Sequence, residues 1–329
     1  MTLSKLAQLA NVSVSVVSKA FSGRSDISDA MREHVFQVAR ENGCFQQFYH
    51  VPYDKPVIAV IIPEIISDYF VQYVHVLKRH MDERGYTMLL SISNFDPALT
   101  SELVHYYTVH NKTQGILLMS PTDKPIPDGL STAIVSLGLG EGTKNGAHVM
   151  QNPRTGIAQA IRYLIEQGHR HIRYIGEPLT QAMRPIFCDE LTNAGLEVRP
   201  EWIVFARTRF EEAGKEGVRR ILSCSERPTV IFSAYGYITR GIIEELNAQG
   251  LQIPRDMSVV SMDNDPPPVD PHMDISCIPS EIERSCAIAM QLLEERMFST
   301  QPNALCNIVI PSSFHIGGSI APPRQEKHV

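Results

Sequence analysis

The sequence predicts an all-α headpiece of three helices in a helix-turn-helix (HTH) arrangement, followed by a two-lobed, Rossmann-like α/β domain. Residues 1–43 alternate helical apolar spacing with helix-capping residues and contain no strand-like run. From Val57 onward, apolar runs alternate with amphipathic segments, which is the pattern of repeated β-α units and a parallel sheet. About 270 residues of such repeats are too many for one sheet, so two lobes with a cleft between them are expected.

The headpiece helices are placed by their caps. Thr2, Ser13 and Ser28 each precede a helical run and can cap it, and Gly43 supplies a stop. The caps predict helices over residues 3–10, 14–21 and 29–41, and they assign the headpiece to residues 1–44.

Residues 45–56 contain two prolines but no Gly/Ser run, and are predicted to be a linker or a short ordered connection. The α/β domain, 57–329, is expected to divide into a first lobe, about 57–167 and 282–309, and a second, about 168–279 and 310–329. Its predicted strands are 57–62, 86–91, 115–119, 133–136, 171–175, 229–232 and 257–260. Its predicted helices are 68–84, 98–110, 154–167, 211–223, 236–249 and 281–298.

Composition limits the function classes. The net charge of −6 argues against a protein coated in basic charge, although a small nucleic-acid-binding module can be masked by a larger acidic body. Residues 1–50 carry five Lys/Arg against four acids and are therefore only weakly basic. The absence of a long apolar run or a signal-like N-terminus predicts a cytoplasmic protein without a membrane partner.

No cofactor, metal site or catalytic centre is predicted. The six cysteines are scattered without metal-ligand or disulfide-framework spacing, and the histidines have no ligand partners at such spacing. The sequence contains no nucleophile elbow, phosphate-binding loop or paired-carboxylate pattern.

The spacing of residues 2–22 suits two helices that cross steeply through a tight turn. The small side chains of Ala7 and Ala10 allow the two helices to approach closely, and Asn11 tolerates a positive φ in the turn. The second helix would then project Val14 and Ser15 into a major groove, with Lys19 one turn further on. A small three-helix packing or dimerisation module would show the same spacing, so spacing alone leaves both interpretations open.

The run TLSKLAQLANVSVSVVSKAFSG, from Thr2, closely resembles the headpiece of the lactose/galactose-repressor (LacI/GalR) family. Within that pattern Val16 replaces a threonine and Asn11 the usual turn glycine. The resemblance implies two groups of DNA-contacting residues. Base readers would be Val14, Ser15 and Lys19, and phosphate contacts would come from Thr2, Ser13, Ser18 and Ser22.

The resemblance extends over the remaining chain, most densely at residues 156–175 and 253–263. It implies a periplasmic-binding-protein-type domain whose cleft holds a small ligand, often a sugar or a purine, gripped by an arginine and an aspartate. Arg184 and Asp263 stand at those positions. Without the family, they would be interpreted as a surface charge and a strand-end cap. The full set of effector candidates is Tyr69, Phe70, Asn152, Arg184, Tyr235 and Asp263.

Several positions depart from the family pattern. Asn152 replaces an aspartate and Tyr235 an asparagine, so a more apolar pocket, an unusual effector and no effector are all compatible. In the linker, Tyr53 stands where the family carries a leucine that wedges into the minor groove. Either Tyr53 is a substitute wedge, or the protein bends DNA less and binds it more weakly.

These observations together predict a sequence-specific transcription regulator, a repressor, whose operator affinity is set by a small sugar-like effector. The expected partners are double-stranded operator DNA, the effector and a second copy of the chain, with a tetramer left open. Two alternatives remain: a solute-sensing protein with weak or vestigial DNA binding, and an enzyme on the same two-lobe fold.

Overall fold

The computed structural model describes residues 1–48, 55–111, 113–126, 130–138, 146–224, 226–263, 273–300 and 304–324. The chain forms two compact units, residues 1–56 and residues 57–329. The predicted three-helix headpiece and parallel α/β domain are both confirmed.

The headpiece helices begin where their caps predict. They are α1 (Leu3–Leu9), α2 (Val14–Phe21) and α3 (Asp29–Glu41). The hydroxyls of Thr2, Ser13 and Ser28 accept a backbone N–H three residues ahead, each at 3.3 Å, which satisfies donors that a helix N-terminus leaves open. Asn11, in the turn between α1 and α2, has the predicted positive φ of 52°.

The linker was predicted to begin at residue 45, but the first four residues of that segment belong to the headpiece. Residues Phe45–Phe48 form a short helix, α4, which packs on the headpiece. The Phe45 ring meets the Phe36 ring edge-on at 5.2 Å between centroids, and Phe48 lies 5.7 Å from Phe21. Burial of these aromatic rings stabilises the segment as part of the headpiece core. Tyr53 lies outside the described residues.

The α/β domain contains two parallel sheets. The first has six strands in the order β11-β5-β4-β3-β1-β2, and the second has five in the order β10-β9-β8-β6-β7. The first comprises β1 (Val57–Ile62), β2 (Thr87–Ile92), β3 (Gly115–Leu118), β4 (Ala133–Gly138), β5 (Ala147–Asn152) and β11 (Cys306–Pro311). The second comprises β6 (Ile172–Gly176), β7 (Ile203–Phe205), β8 (Val230–Ser233), β9 (Ser258–Ser261) and β10 (Ser276–Cys277).

Each sheet has its own helices and its own core. The first lobe carries α5 (Asp68–Glu83), α6 (Pro97–His105), which continues as a π-turn over Tyr106–His110, and α11 (Ile282–Met297). The second carries α7 (Arg154–Glu166), α8 (Met183–Asn193), α9 (Phe210–Leu222) and α10 (Gly236–Ala248). Strands β1, β3 and β8 are almost wholly buried, as expected for parallel strands covered on both faces.

Helix α7 corrects the predicted lobe boundary. The sequence assigned residues 154–167 to the first lobe, but Ile157, Ile161 and Leu164 are fully buried in the core of the second. The chain therefore crosses between the lobes at Asn152 and Pro153, where β5 ends, rather than near residue 167. Periodicity reveals that a helix has an apolar face but does not reveal which sheet covers it.

Among the described residues of the α/β domain, the sequence did not predict strands β5, β7, β10 and β11 or helix α8. Strands β7 and β10 span only three and two residues, and β11, at the sheet edge, alternates exposed positions with half-buried or buried ones. Such segments are too short or too polar to stand out as apolar runs.

The chain crosses between the lobes in three places, at residues 152–153, 278–281 and 312–315. Because all strands within each sheet are parallel, their carboxyl ends lie at one edge of that sheet. The loops after β1, β2, β5, β6, β7, β8 and β9 line one cavity together with the crossing segments. A doubly wound sheet places its ligand site at this edge.

Candidate functional site

Helix α2 presents a narrow polar face to solvent. Val14 is 43% exposed, and Ser15, Ser18 and Ser22 are also exposed, whereas Val17, Ala20 and Phe21 are buried against the other headpiece helices. The 3.6-residue period of the helix separates these two sets. The predicted DNA-reading residues of α2 thus share one accessible side of the headpiece.

Two of the predicted phosphate contacts, Thr2 and Ser13, are also helix N-caps. The Thr2 and Ser13 hydroxyls accept backbone N–H groups, which leaves each O–H proton available to donate to an external acceptor. Ser22 differs, because its hydroxyl donates to the Lys19 carbonyl at 3.3 Å. Thr2 and Ser13 can therefore cap a helix and contact a phosphate at the same time. Ser22 would first have to break its hydrogen bond to the Lys19 carbonyl.

The charge of Lys19 is balanced within the headpiece. Its Nζ lies 2.7 Å from the Asp26 carboxylate, and the hydrogen bond from Lys19 lowers the pKa of Asp26. Arg32 and Arg40 form ion pairs with Asp29 and Glu33 in the same way. The headpiece surface is consequently close to neutral even where the sequence predicts a base-reading cation.

The second candidate site is the cavity between the two lobes. Its volume is 260 Å³, slightly below the range of most small-molecule pockets. Aromatic side chains from both lobes dominate its wall. They are Tyr69, Phe70 and Phe95 from the first lobe and Phe210, Tyr235 and Tyr237 from the second.

One guanidinium joins the lobes across this cavity. Arg209, which follows β7, donates from Nη1 and Nη2 to the two carboxylate oxygens of Glu64, both at 3.0 Å. Its Nε donates to Glu177 at 3.2 Å. Glu64 follows β1 in the first lobe, whereas Glu177 follows β6 in the second. The fork geometry of this pair is the strongest arrangement that an arginine and a carboxylate make.

Neighbouring groups hold this cluster in place. The Tyr235 hydroxyl donates to Glu177 at 2.7 Å, and the Phe210 ring lies 4.5 Å below the Arg209 guanidinium. Glu64 and Glu177 are only 6% and 1% exposed. The hydrogen bonds to Glu64 raise the pKa of Arg209, and burial beside Glu177 raises the pKa of Tyr235.

Two further polar side chains face the cavity. Ser67, directly before α5, is buried, and its hydroxyl has no hydrogen-bond partner among the described residues. Gln151, near the end of β5, donates to the Tyr73 hydroxyl at 2.7 Å. An unpartnered buried hydroxyl is costly unless a ligand or water satisfies it, which is consistent with a binding site.

Four of the six predicted effector residues line the cavity: Tyr69, Phe70, Tyr235 and Asp263. Asn152 and Arg184 do not. The side chain of Asn152 instead accepts the Arg154 backbone N–H at 3.0 Å, at the start of α7. Its neighbour Gln151 lines the cavity, because adjacent strand residues face opposite sides.

Arg184 lies on the exposed side of α8, close to the Cys188 thiol. Met183, one residue earlier, lines the cavity instead. Consecutive residues on a helix are rotated by about 100°, so one position separates the wall of the cavity from solvent. Among the described residues, the arginine that lines this cavity is Arg209.

Sequence reasoning missed Arg209, Glu64 and Glu177. Glu64 and Glu177 follow predicted strands within two residues, and this position was a usable signal because the carboxyl ends of parallel strands converge. Arg209 follows β7, which is too short for its apolar run to be recognised.

Comparison with known proteins agrees with this architecture. Residues 2–43 match the model of bacterial regulatory proteins of the lacI family, and residues 161–320 match a periplasmic binding protein-like domain. The ribose operon repressor of Haemophilus influenzae is 25% identical over 274 residues, which cover 80% of this chain and 82% of the repressor.

Two solved structures share the fold over nearly the whole chain. The transcriptional regulator CelR–cellobiose complex superposes with a TM-score of 0.64 at 23% identity, covering 97% of this chain and 99% of that one. The lac repressor dimer bound to operator and the anti-inducer ONPF gives 0.66 at 17% identity, covering 98% and 99%.

A helix-turn-helix unit that precedes a two-lobed α/β domain with a ligand-sized cavity defines the class of single-chain, ligand-responsive transcription regulators. The chain carries a lacI-family helix-turn-helix domain followed by a periplasmic binding protein-like domain. Among the described helices, none is long and apolar enough to cross a membrane.

Proposed function

We propose that this protein is a transcriptional repressor that binds operator DNA through α2 and responds to a small molecule in the interlobe cavity. The observation that carries the proposal is the exposed face of α2, built on a headpiece that matches the lacI family over residues 2–43. A relative of similar length is itself an operon repressor. Such a protein would act in the cytoplasm, where its operator lies.

The headpiece would bind as one half of a homodimer. A single α2 contacts only a few base pairs, whereas two copies related by a two-fold axis read a pseudo-palindromic site in successive major grooves. Val14 and Ser15 would contact base edges at the leading end of α2. Thr2 and Ser13 would donate to phosphates and set the position of the helix.

The effector would act by linkage. A ligand that contacts both walls of the cavity favours one arrangement of the lobes, and it changes operator affinity only to the extent that the two arrangements bind DNA differently. Tyr69 and Phe70 from the first lobe, with Tyr235 and Asp263 from the second, would supply these contacts.

The test is footprinting of the purified protein on the promoter region of its own gene, repeated over a range of salt concentrations. A protein that contacts several phosphates should lose affinity by orders of magnitude between low and moderate salt. A solute-sensing protein with a vestigial headpiece would give no footprint. Sedimentation of the free protein tests the proposed dimer against a monomer or a tetramer.

A matched pair of variants locates the DNA-binding surface. Val14→Glu and Leu9→Glu each replace a side chain that is 43% exposed, one on α2 and the other on α1. A glutamate in the first turn of α2 is compatible with the helix dipole, so Val14→Glu should stay folded and lose the footprint by charge repulsion. Leu9→Glu should keep it. Loss with both variants, or with neither, would contradict the assignment of α2.

A further inference from the structure

We propose that Arg209 is an interlobe clasp rather than a ligand anchor, and that the cavity therefore accepts a compact ligand without negative charge and rejects anions such as phosphorylated metabolites. The inference rests on the proposed function only for the identification of the cavity as an effector site. It is tested by measuring anion binding to the protein, and this measurement does not require DNA.

Most hydrogen-bond donors of Arg209 are already engaged within the protein. A guanidinium has five N–H donors, and three of those of Arg209 are directed at Glu64 and Glu177. Both carboxylates are almost completely buried, so they depend on this cation to offset the loss of hydration. An anionic ligand that took Arg209 would leave two buried carboxylates uncompensated.

The charged side chains of the cavity wall disfavour an anion. Among the described residues, Glu64 and Glu177 share one guanidinium, that of Arg209, at the wall of the cavity. This cluster carries a surplus of one negative charge beside a space of 260 Å³. A phosphate or carboxylate placed there would be repelled more strongly than it is attracted, whereas a hydroxyl or an amine can donate to these oxygens.

The rest of the cavity wall suits a small ligand without negative charge. Tyr69, Phe70 and Phe95 offer aromatic faces to the apolar or cationic side of a small molecule. Ser67 contributes a hydroxyl that lacks a partner among the described residues and can pair with a ligand hydroxyl or amine. The predicted ligand is therefore small and rich in hydrogen-bond donors.

The test uses a double variant in which Arg209 loses its carboxylate partners and becomes free to bind an anion. Glu64→Gln/Glu177→Gln removes two negative charges while it keeps side chains of nearly the same size, and it frees Arg209. We expect inorganic phosphate to produce no stabilisation of the full-length wild-type protein beyond that of sodium chloride at equal ionic strength. The double variant should bind phosphate on the order of a hundredfold more tightly than the wild type, measured by calorimetry or thermal shift.

Two controls assign the effect to Arg209. Adding Arg209→Ala to the double variant should abolish the gained phosphate affinity. Ribose and ribose 5-phosphate form a matched probe pair, and the phosphate ester should gain affinity over the free sugar only in the double variant. If the double variant does not fold, Glu64→Gln alone serves, because it keeps the hydrogen bond from Tyr235 to Glu177.

The proposal is overturned if the wild-type protein binds phosphate or ribose 5-phosphate in an Arg209-dependent manner. It is equally overturned if a folded double variant gains no affinity for anions. A failed footprint with these anion results intact would reject DNA binding and leave the clasp standing. A footprint released by an anion in the wild type would support the regulator and reject the clasp.

Discussion

Replacement of Arg209 by alanine tests the clasp through folding stability. The substitution removes the guanidinium that bridges Glu64 in the first lobe and Glu177 in the second. The side chains of Glu64 and Glu177, which are only 8% and 2% exposed, then lack the cation that compensates their charge. The direct link between the lobes through this side chain is lost at the same time.

The size of the effect follows from burial. Removal of one partner from a fully buried ion pair costs about 3–5 kcal/mol, because the other charge is left uncompensated. The Arg209 side chain is 34% exposed, so water can reach the vacated position and screen the carboxylates. We therefore expect a loss of about 2 kcal/mol, which for a domain of this size lowers Tm by roughly 4–8 °C.

The assay is thermal unfolding of the full-length protein followed by circular dichroism at neutral pH. Arg184→Ala is the matched control, since that arginine lies exposed outside the cavity and should cost less than about 0.5 kcal/mol. Equal stability of the two variants would refute the clasp as a stabilising contact.

Three further predictions concern the headpiece and the core of the second lobe. Asp26→Asn should free Lys19 from its ion pair to contact a base edge and raise operator affinity on the order of tenfold in fluorescence anisotropy titrations at fixed salt; an unchanged affinity would contradict a DNA contact by that lysine. Gly241→Ala should cost about 3 kcal/mol in urea unfolding, because its methyl group would overlap the backbone of α9, whereas Gly318→Ala should change little. Burial lowers the pKa of His169, so its stabilising contribution is present above about pH 6.5 and is lost as the pH falls; His169→Asn should flatten that dependence.

The headpiece was the most predictable part of the molecule. Its helix starts depend on hydroxyl caps, and its turn depends on a residue that tolerates positive φ, both of which are local properties. In the α/β domain, the order of strands and helices could also be predicted from the sequence wherever a strand is long and buried. Strands β7 and β10 escaped because two or three residues do not make a recognisable apolar run.

The cavity shows the limit of local reasoning. The family resemblance directed attention to Arg184 and Asn152, each of which lies one residue away from a side chain that lines the wall. Moving by one position along a strand places the side chain on the opposite face of the sheet. Moving by one position along a helix rotates the side chain by about 100° around the helix axis. Such a shift is decided by the local packing of β5 and α8, which no pattern of residue types records.

The sequence by itself therefore determined that an HTH headpiece precedes a parallel α/β domain, because caps, turns and apolar periods are short-range features. Only the tertiary structure decided which charges meet. Glu64, Glu177 and Arg209 are separated by up to 145 positions along the chain, yet they form one cluster because the carboxyl ends of both sheets converge on the same cleft. Electrostatic pairing depends on distance in space, so the property that selects the ligand emerges only when the two lobes are brought together.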